Sequence, residues 1–199
     1  MSAVRKPKLS VAEYLAAERK NSFKSEFFDG EMFAMAGASI PHNRVSENLS
    51  IHVGSQLIGG TCQSFSSDLR VQVSRTGLYT YPDFVIVCGE IETAEEDADT
   101  VTNPRVLVEV LSPSTERYDR TTKFRHYQQI PSLREYVLVS QTEPLCERFS
   151  MLESGEWTVA SFVGLDAVLE LRSVPVRVRL ADLYAGVVFP PAEALPASK

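Results

Sequence analysis

Cysteine is scarce in this chain of 199 residues: Cys62, Cys88 and Cys146 are widely spaced and odd in number. That pattern predicts no disulfide framework and no zinc knuckle, and three free thiols in a reducing cytoplasm. Cys88 and Cys146 fall in strand-like stretches, where a free cysteine behaves as a small buried hydrophobe. No apolar run approaches the ~20 residues of a membrane-spanning helix, which excludes that class of integral membrane protein. The residues from Met1 to Ser10 include basic ones but no apolar stretch follows, so a secretory signal is not expected. Excess positive charge is missing as well. A net charge of −6 and a pI near 5.2 argue against nucleic-acid binding through overall basicity.

What is present is ordinary globular composition, 44% hydrophobic and 23% charged, enough for one sizeable core. We read residues 1–199 as a single domain, with a core over about 40–140 and a frayed tail from about Pro190. The charge is uneven. Asp83 to Pro104 holds seven carboxylates and no Lys or Arg, and 90–99 reads as a solvated acidic loop. Arg105 to Arg134 then holds six cations against three carboxylates.

The hydrophobic pattern places the elements. Ser10-Val-Ala-Glu13 is a capping box that opens a short helix to Lys20. Asp29-Gly30 is a hairpin turn between strand-like 23–28 and 31–36. Val45, Leu49, Val53 and Leu57 recur every fourth residue, predicting a helix over about 43–57 that Gly59-Gly60 stops. Asp68 to Val73 alternates with period two, as a half-buried strand does. Strands are also predicted at 79–87 and, nearly unbroken in apolarity, at 105–111. A helix over 118–129 is closed by Pro131, and a buried-type strand follows at 135–140. Short antiparallel strands at about 145–152, 156–163, 168–171 and 176–180 and a last helical turn at 181–185 complete the chain. The whole is an α/β mixed sheet flanked by helices, with extra antiparallel strands toward the C-terminus.

Chemistry concentrates in the middle of the chain. Asp83 opens one apolar strand and Glu109 interrupts another, and an ionised carboxylate in a buried strand needs a partner. A hard divalent cation, a buried arginine, or a strand end facing water would each meet that need. Lys123 is the only lysine between Lys24 and Lys199, in a stretch that otherwise uses arginine for its cations. A compact ammonium serves reacting phosphate chemistry in a way that a guanidinium fork does not. Asp119, Lys123 and Tyr127 share a helix face at intervals of four; an exposed Asp–Lys pair is the plainer explanation of that spacing.

Tyr81-Pro-Asp83, Val108-Glu-Val-Leu-Ser-Pro-Ser-Thr115 and Asp119-x-x-x-Lys123-x-x-x-Tyr127 together resemble the Uma-type endonuclease family of the PD-(D/E)XK (restriction-endonuclease-like) superfamily. The likeness extends upstream to Glu26-Phe-Phe-Asp-Gly30-Glu-Met and to His42, and so spans about 10–183. It implies a mixed core sheet of four to five strands and Mg²⁺-dependent, or Mn²⁺-dependent, hydrolysis of phosphodiesters, with DNA as the expected substrate and RNA left open. On that likeness Asp83 and Glu109 ligate the metal, with the main-chain carbonyl of Val110 as a further ligand. The superfamily's lysine falls two residues after the glutamate. Here that position is Leu111, and Lys123 supplies the ammonium from the next helix.

His42 and Glu26 match family positions and are secondary catalytic candidates; Asp68 is a candidate outer ligand. Glu47 lies opposite the apolar stripe of its helix and is expected to face solvent. Arg117, Arg120 and Arg125 are candidates for holding phosphates. Two functions compete: a metal-dependent nuclease, or an inactive nuclease fold that binds nucleic acid or oligomerises. The strand-rich C-terminal region suggests a homodimer.

Overall fold

The structure, a computed structural model, describes residues 8–191. Its centre is a six-stranded sheet in the order β12-β11-β10-β9-β6-β3. The members are β3 (Cys62–Ser66), β6 (Phe84–Cys88), β9 (Val106–Leu111), β10 (Glu135–Ser140), β11 (Leu145–Met151) and β12 (Trp157–Val163). Within this sheet only β9 and β10 run parallel; their crossover is a helical segment. That segment comprises α4 (Glu116–Tyr118), a π-helical turn (Asp119–Lys123) and α5 (Phe124–Tyr127).

The central strands are apolar on both sides because both sides are covered, and strand periodicity sorts their residues between two cores. Phe84, Ile86, Val106, Val108, Val110, Val137 and Val139 face α2 (Ile40–His52), α3 (Gly54–Leu57) and the C-terminal elements. Those elements are the pair β13 (Val168–Leu171) and β14 (Val176–Arg179) and the turn α6 (Leu180–Leu183). Val85, Val87, Leu107, Leu111, Tyr136 and Leu138 face the crossover and a second sheet. Glu109 alternates onto that second side, beneath the crossover helix.

The second sheet runs β2-β1-β5-β4-β8-β7. It contains β1 (Ser25–Phe28), β2 (Glu31–Ala34), β4 (Arg70–Val73), β5 (Leu78–Thr80), β7 (Thr93–Ala94) and β8 (Asp97–Val101). Asp29 and Gly30 both adopt positive φ, 48° and 79°, as the two-residue turn between β1 and β2 demands. α1 (Val11–Glu18) carries the capping box seen in the sequence, and Tyr14 stacks on Phe27 with ring centroids 4.7 Å apart. In α2 the buried Asn48 amide donates to the carbonyls of Leu183 at 2.8 Å and Ala185 at 3.0 Å. That contact fixes the helix whose N-terminal turn carries His42.

Several elements differ from the sequence expectation. Residues 90–99 expose Glu90, Glu92, Glu95, Glu96 and Asp99 as expected, but they are not a loop: β7 and β8 form a hairpin, and Asp97 is buried. Arg70 (2.7 Å), Arg19 (2.8 Å) and Thr100 (2.6 Å) all donate to it. Cys62 and Cys88 are not free thiols; they stand opposite each other on β3 and β6 and form a disulfide, leaving Cys146 as the free, buried one. The polar run Cys62–Ser66 is a strand because it pairs along its whole length with apolar β6. The first long helix starts at Ile40, capped by Ser39, and breaks at Val53. The crossover is not one regular α-helix, because a π turn interrupts it. Asp68 precedes its strand, which begins at Arg70, and is exposed on Lys24. Most of the tail beyond Pro190 lies outside the described residues. Among the described residues no helix is long and apolar enough to cross a membrane.

Candidate active site

The site lies where β6 and β9 end beneath the crossover. Pro82 has no N–H with which to extend the β6–β9 ladder. The ladder ends at Phe84, and beyond it the Val110 N–H is met by a side chain: Asp83 Oδ2 accepts it at 2.7 Å. The same oxygen lies 3.2 Å from His42 Nε2, presented by the first turn of α2. Asp83 is therefore pinned between sheet and helix with about one-sixth of its side chain exposed, 16%.

Glu109, next door on β9, is buried at 4% exposure. Its Oε1 accepts from Lys123 Nζ at 2.9 Å and from the Tyr127 hydroxyl at 2.7 Å. Lys123 also reaches Glu26 at 3.0 Å, and Asp119 lies 3.7 Å away. The ammonium is thus held among three carboxylates from β1, β9 and its own turn, with the rings of Tyr118 and Tyr127 about 6 Å off (5.9 and 6.0 Å).

The π turn shapes this cluster. By widening the helix for one turn it buries both Asp119 and Lys123, and the Tyr136 hydroxyl of β10 donates to the Asp119 carbonyl at 3.1 Å. On the far side, Thr80 of β5 donates to Glu26 at 2.5 Å. Thr80, Tyr118 and Tyr136 were not singled out from the sequence. Tyr118, one residue before Asp119, could have been found by its place beside the Asp–Lys–Tyr face; Thr80 and Tyr136 offered no signal.

Burial sets the electrostatics. It pushes the Glu109 carboxyl up to about 8, against the opposing pull of Lys123 and the Tyr127 hydrogen bond, with Asp119 and Asp83 adding repulsion. Burial likewise raises Asp119. For Glu26 burial is outweighed by Lys123 and Thr80, and its carboxyl is lowered. Lys123 is raised well above the usual lysine value. Burial opposes its charge, but Glu109, Glu26 and Asp119 together overcome that penalty.

The structure thus brings together Glu26, His42, Asp83, Glu109, Asp119, Lys123 and Tyr127. It leaves other candidates outside. Asp68 is paired with Lys24 on the surface, and Glu47 is exposed. Arg117 and Arg125 are exposed, whereas Arg120 is engaged by Glu116 and by Glu147 of β11. Among the described residues no group of three or more His, Cys, Asp or Glu side chains is arranged to hold a metal ion by itself.

Comparison with known proteins bears on the whole chain. The family model "Uma2: Putative restriction endonuclease" matches residues 11–182. In Synechocystis sp. (strain ATCC 27184 / PCC 6803 / Kazusa), the uncharacterized protein slr1290 is 38% identical over 183 residues, 92% of this chain and 95% of that one. A second, sll1609, is 35% identical over 162 residues, 81% and 92% of the two chains. A crystal structure of "a putative nuclease belonging to DUF820" from Anabaena variabilis ATCC 29413 has a similar fold. It matches with a TM-score of 0.72 at 17% identity, covering 90% of this chain and 99% of that one. This chain belongs to the Uma2 family, with the mixed α/β, restriction-endonuclease-like architecture that its motifs implied.

Proposed function

We propose that this protein is a divalent-metal-dependent endonuclease that hydrolyses phosphodiester bonds in DNA. One observation carries the reading. Two carboxylates on adjacent strands, Asp83 and Glu109, each have one oxygen engaged by the protein, and Lys123, among the described residues the one buried lysine, stands 2.9 Å from the second. A donor set of two carboxylates, with the Val110 main-chain carbonyl as a third oxygen, suits Mg²⁺ or Mn²⁺. Such ions take one or two carboxylates and fill their remaining positions with water and phosphate. A cation bound there would supply a polarised water and neutralise charge on the scissile phosphate.

The chain's own residues do the rest. Val110 and His42 hold Asp83 in place, and Tyr127 orients Glu109. Lys123 stabilises negative charge developing on the phosphate oxygens, and Glu26 and Asp119 keep its ammonium charged and aimed. Arg117 and Arg125, exposed on the crossover, contact backbone phosphates.

The test incubates supercoiled plasmid, single-stranded DNA and RNA with the protein and Mg²⁺ or Mn²⁺. Wild type nicks DNA, and Asp83→Asn, Glu109→Gln and Lys123→Met each slow cleavage by about 10²-fold or more. Cleavage that persists in Glu109→Ala and Lys123→Ala rejects these site roles. Binding without turnover by wild type points instead to the inactive nucleic-acid-binding module, and cleavage confined to RNA changes the substrate.

A further inference from the structure

Among the described residues, β12 ends the central sheet and is hydrogen-bonded on one side only, to β11. Its seven residues, Trp157–Val163, contain no charge, proline or glycine. Those are the devices by which long edge strands are kept from pairing with other chains. Large apolar side chains are exposed on and beside it: Val159 at 57%, Val163 at 70%, and the flanking Leu152 and Leu165.

We infer that β12 is the seam of a homodimer, pairing antiparallel with β12 of a second copy about a two-fold axis at Ala160. In that register Ala160 faces itself, Val159 faces Ser161 of the second copy, and Trp157 faces its Val163. No charge meets another along the strand. A second copy fits better than an unrelated peptide, because a rotation about the middle residue closes the edge of both chains at once and leaves no edge there to propagate.

The geometry also orders the two sites. Such an axis stands perpendicular to the sheet, so the same face of both copies looks the same way. Register places Glu109 beside Leu138, Leu138 beside Glu147, and Glu147 beside Ser161, one residue from the axis. The two Glu109 residues are therefore seven inter-strand steps apart, and strand twist of about 20–25° per step turns the sheet faces that carry them away from each other. The seam does not rest on the nuclease reading.

Light scattering and sedimentation at rising protein concentration, without metal or nucleic acid, test it. Wild type has twice the 22.1 kDa chain mass. Val159→Lys combined with Val163→Lys, at exposed positions that spare the fold, weakens association about ten-fold or more while the circular dichroism stays unchanged. Ala160→Cys cross-links two chains under mild oxidation, and Thr158→Cys does not. A monomeric wild type, a dimer untouched by the two lysines, or cross-linking at Thr158→Cys instead of Ala160→Cys overturns the seam. An inactive protein that still dimerises leaves it standing and sinks only the nuclease reading.

Discussion

Tyr127 donates its hydroxyl to Glu109 at 2.7 Å, and both side chains are buried. The contact joins the last turn of the crossover to the middle of the sheet, so the carboxylate cannot rotate away from Lys123 without losing a buried hydrogen bond. Such a loss costs about 1–3 kcal/mol, because the group left unpaired stays desolvated. Site geometry and fold stability are coupled at this one oxygen.

Glu109 should make stability fall with rising pH. Its folded-state value is raised to about 8 from an ordinary 4.5, chiefly by burial. The folded state then binds the extra proton between those values. The contribution is full below about 4.5 and is lost as pH rises through about 8. Glu109→Gln keeps the shape and cannot ionise. Measured by urea unfolding with a chelator present, the variant gains roughly 2–4 kcal/mol on wild type between acid and mildly alkaline pH. Parallel pH curves for the two proteins would show that the carboxyl is not raised.

Much of this site is legible in the sequence. Glu109 stood out because it interrupts an apolar run, and Lys123 because no other lysine lies between Lys24 and Lys199. Continuous apolarity, the signature of a strand covered on both faces, predicts strands at 105–111 and 135–140, where β9 and β10 lie; 79–87, read as one strand, divides between β5 and β6 in different sheets. What escaped depended on partners far away in sequence. Asp97 looked solvated inside an acidic run because Arg70 and Arg19, which pair with it, lie 27 and 78 residues away. Cys62 and Cys88 pair through a strand register that spacing does not reveal. Arg120 resembles its neighbours in sequence, and Glu147, which engages it, lies on β11 far along the chain. The π turn has no local signature, since its carbonyl is satisfied by Tyr136 from another strand.

The Cys62–Cys88 disulfide closes a loop with a sequence separation of 26. Loop-closure entropy assigns it about 3–4 kcal/mol. Reductant, or Cys62→Ser, should lower the unfolding free energy by that order. Under denaturing conditions without reductant the wild type titrates one thiol, Cys146, and reduction raises the count to three. Three reactive thiols before any reduction would contradict the pairing.

Asp97 is predicted to hold the second sheet together. Burial alone would raise its carboxyl, but the Thr100 hydrogen bond, Arg19 and Arg70 outweigh that and lower it below 3.8. With a depressed folded value, the contribution is present above about 3.8 and lost as pH falls through the folded value. Asp97→Asn leaves the buried Arg70 guanidinium without its counter-charge and should cost about 3–5 kcal/mol. Adding Arg70→Met to that variant should recover part of the loss, because the stranded charge is then gone. A double variant less stable than Asp97→Asn alone would show that the arginine contributes by packing and not through the pair.

The three crossover arginines should separate in nucleic-acid binding. Arg117 and Arg125 are exposed, so each can meet a phosphate and release a counterion, whereas Arg120 is already held by Glu116 and Glu147. Fluorescence anisotropy of a labelled duplex across a salt series reads the difference. Arg117→Ala and Arg125→Ala each weaken binding and reduce the slope of log affinity against log salt by about one. Arg120→Ala leaves that slope in place and instead loosens the crossover from β11, a cost of about 1 kcal/mol for a partly exposed pair. An Arg120→Ala protein whose salt slope drops as far as the others' would mean that its carboxylates release the guanidinium when the duplex arrives.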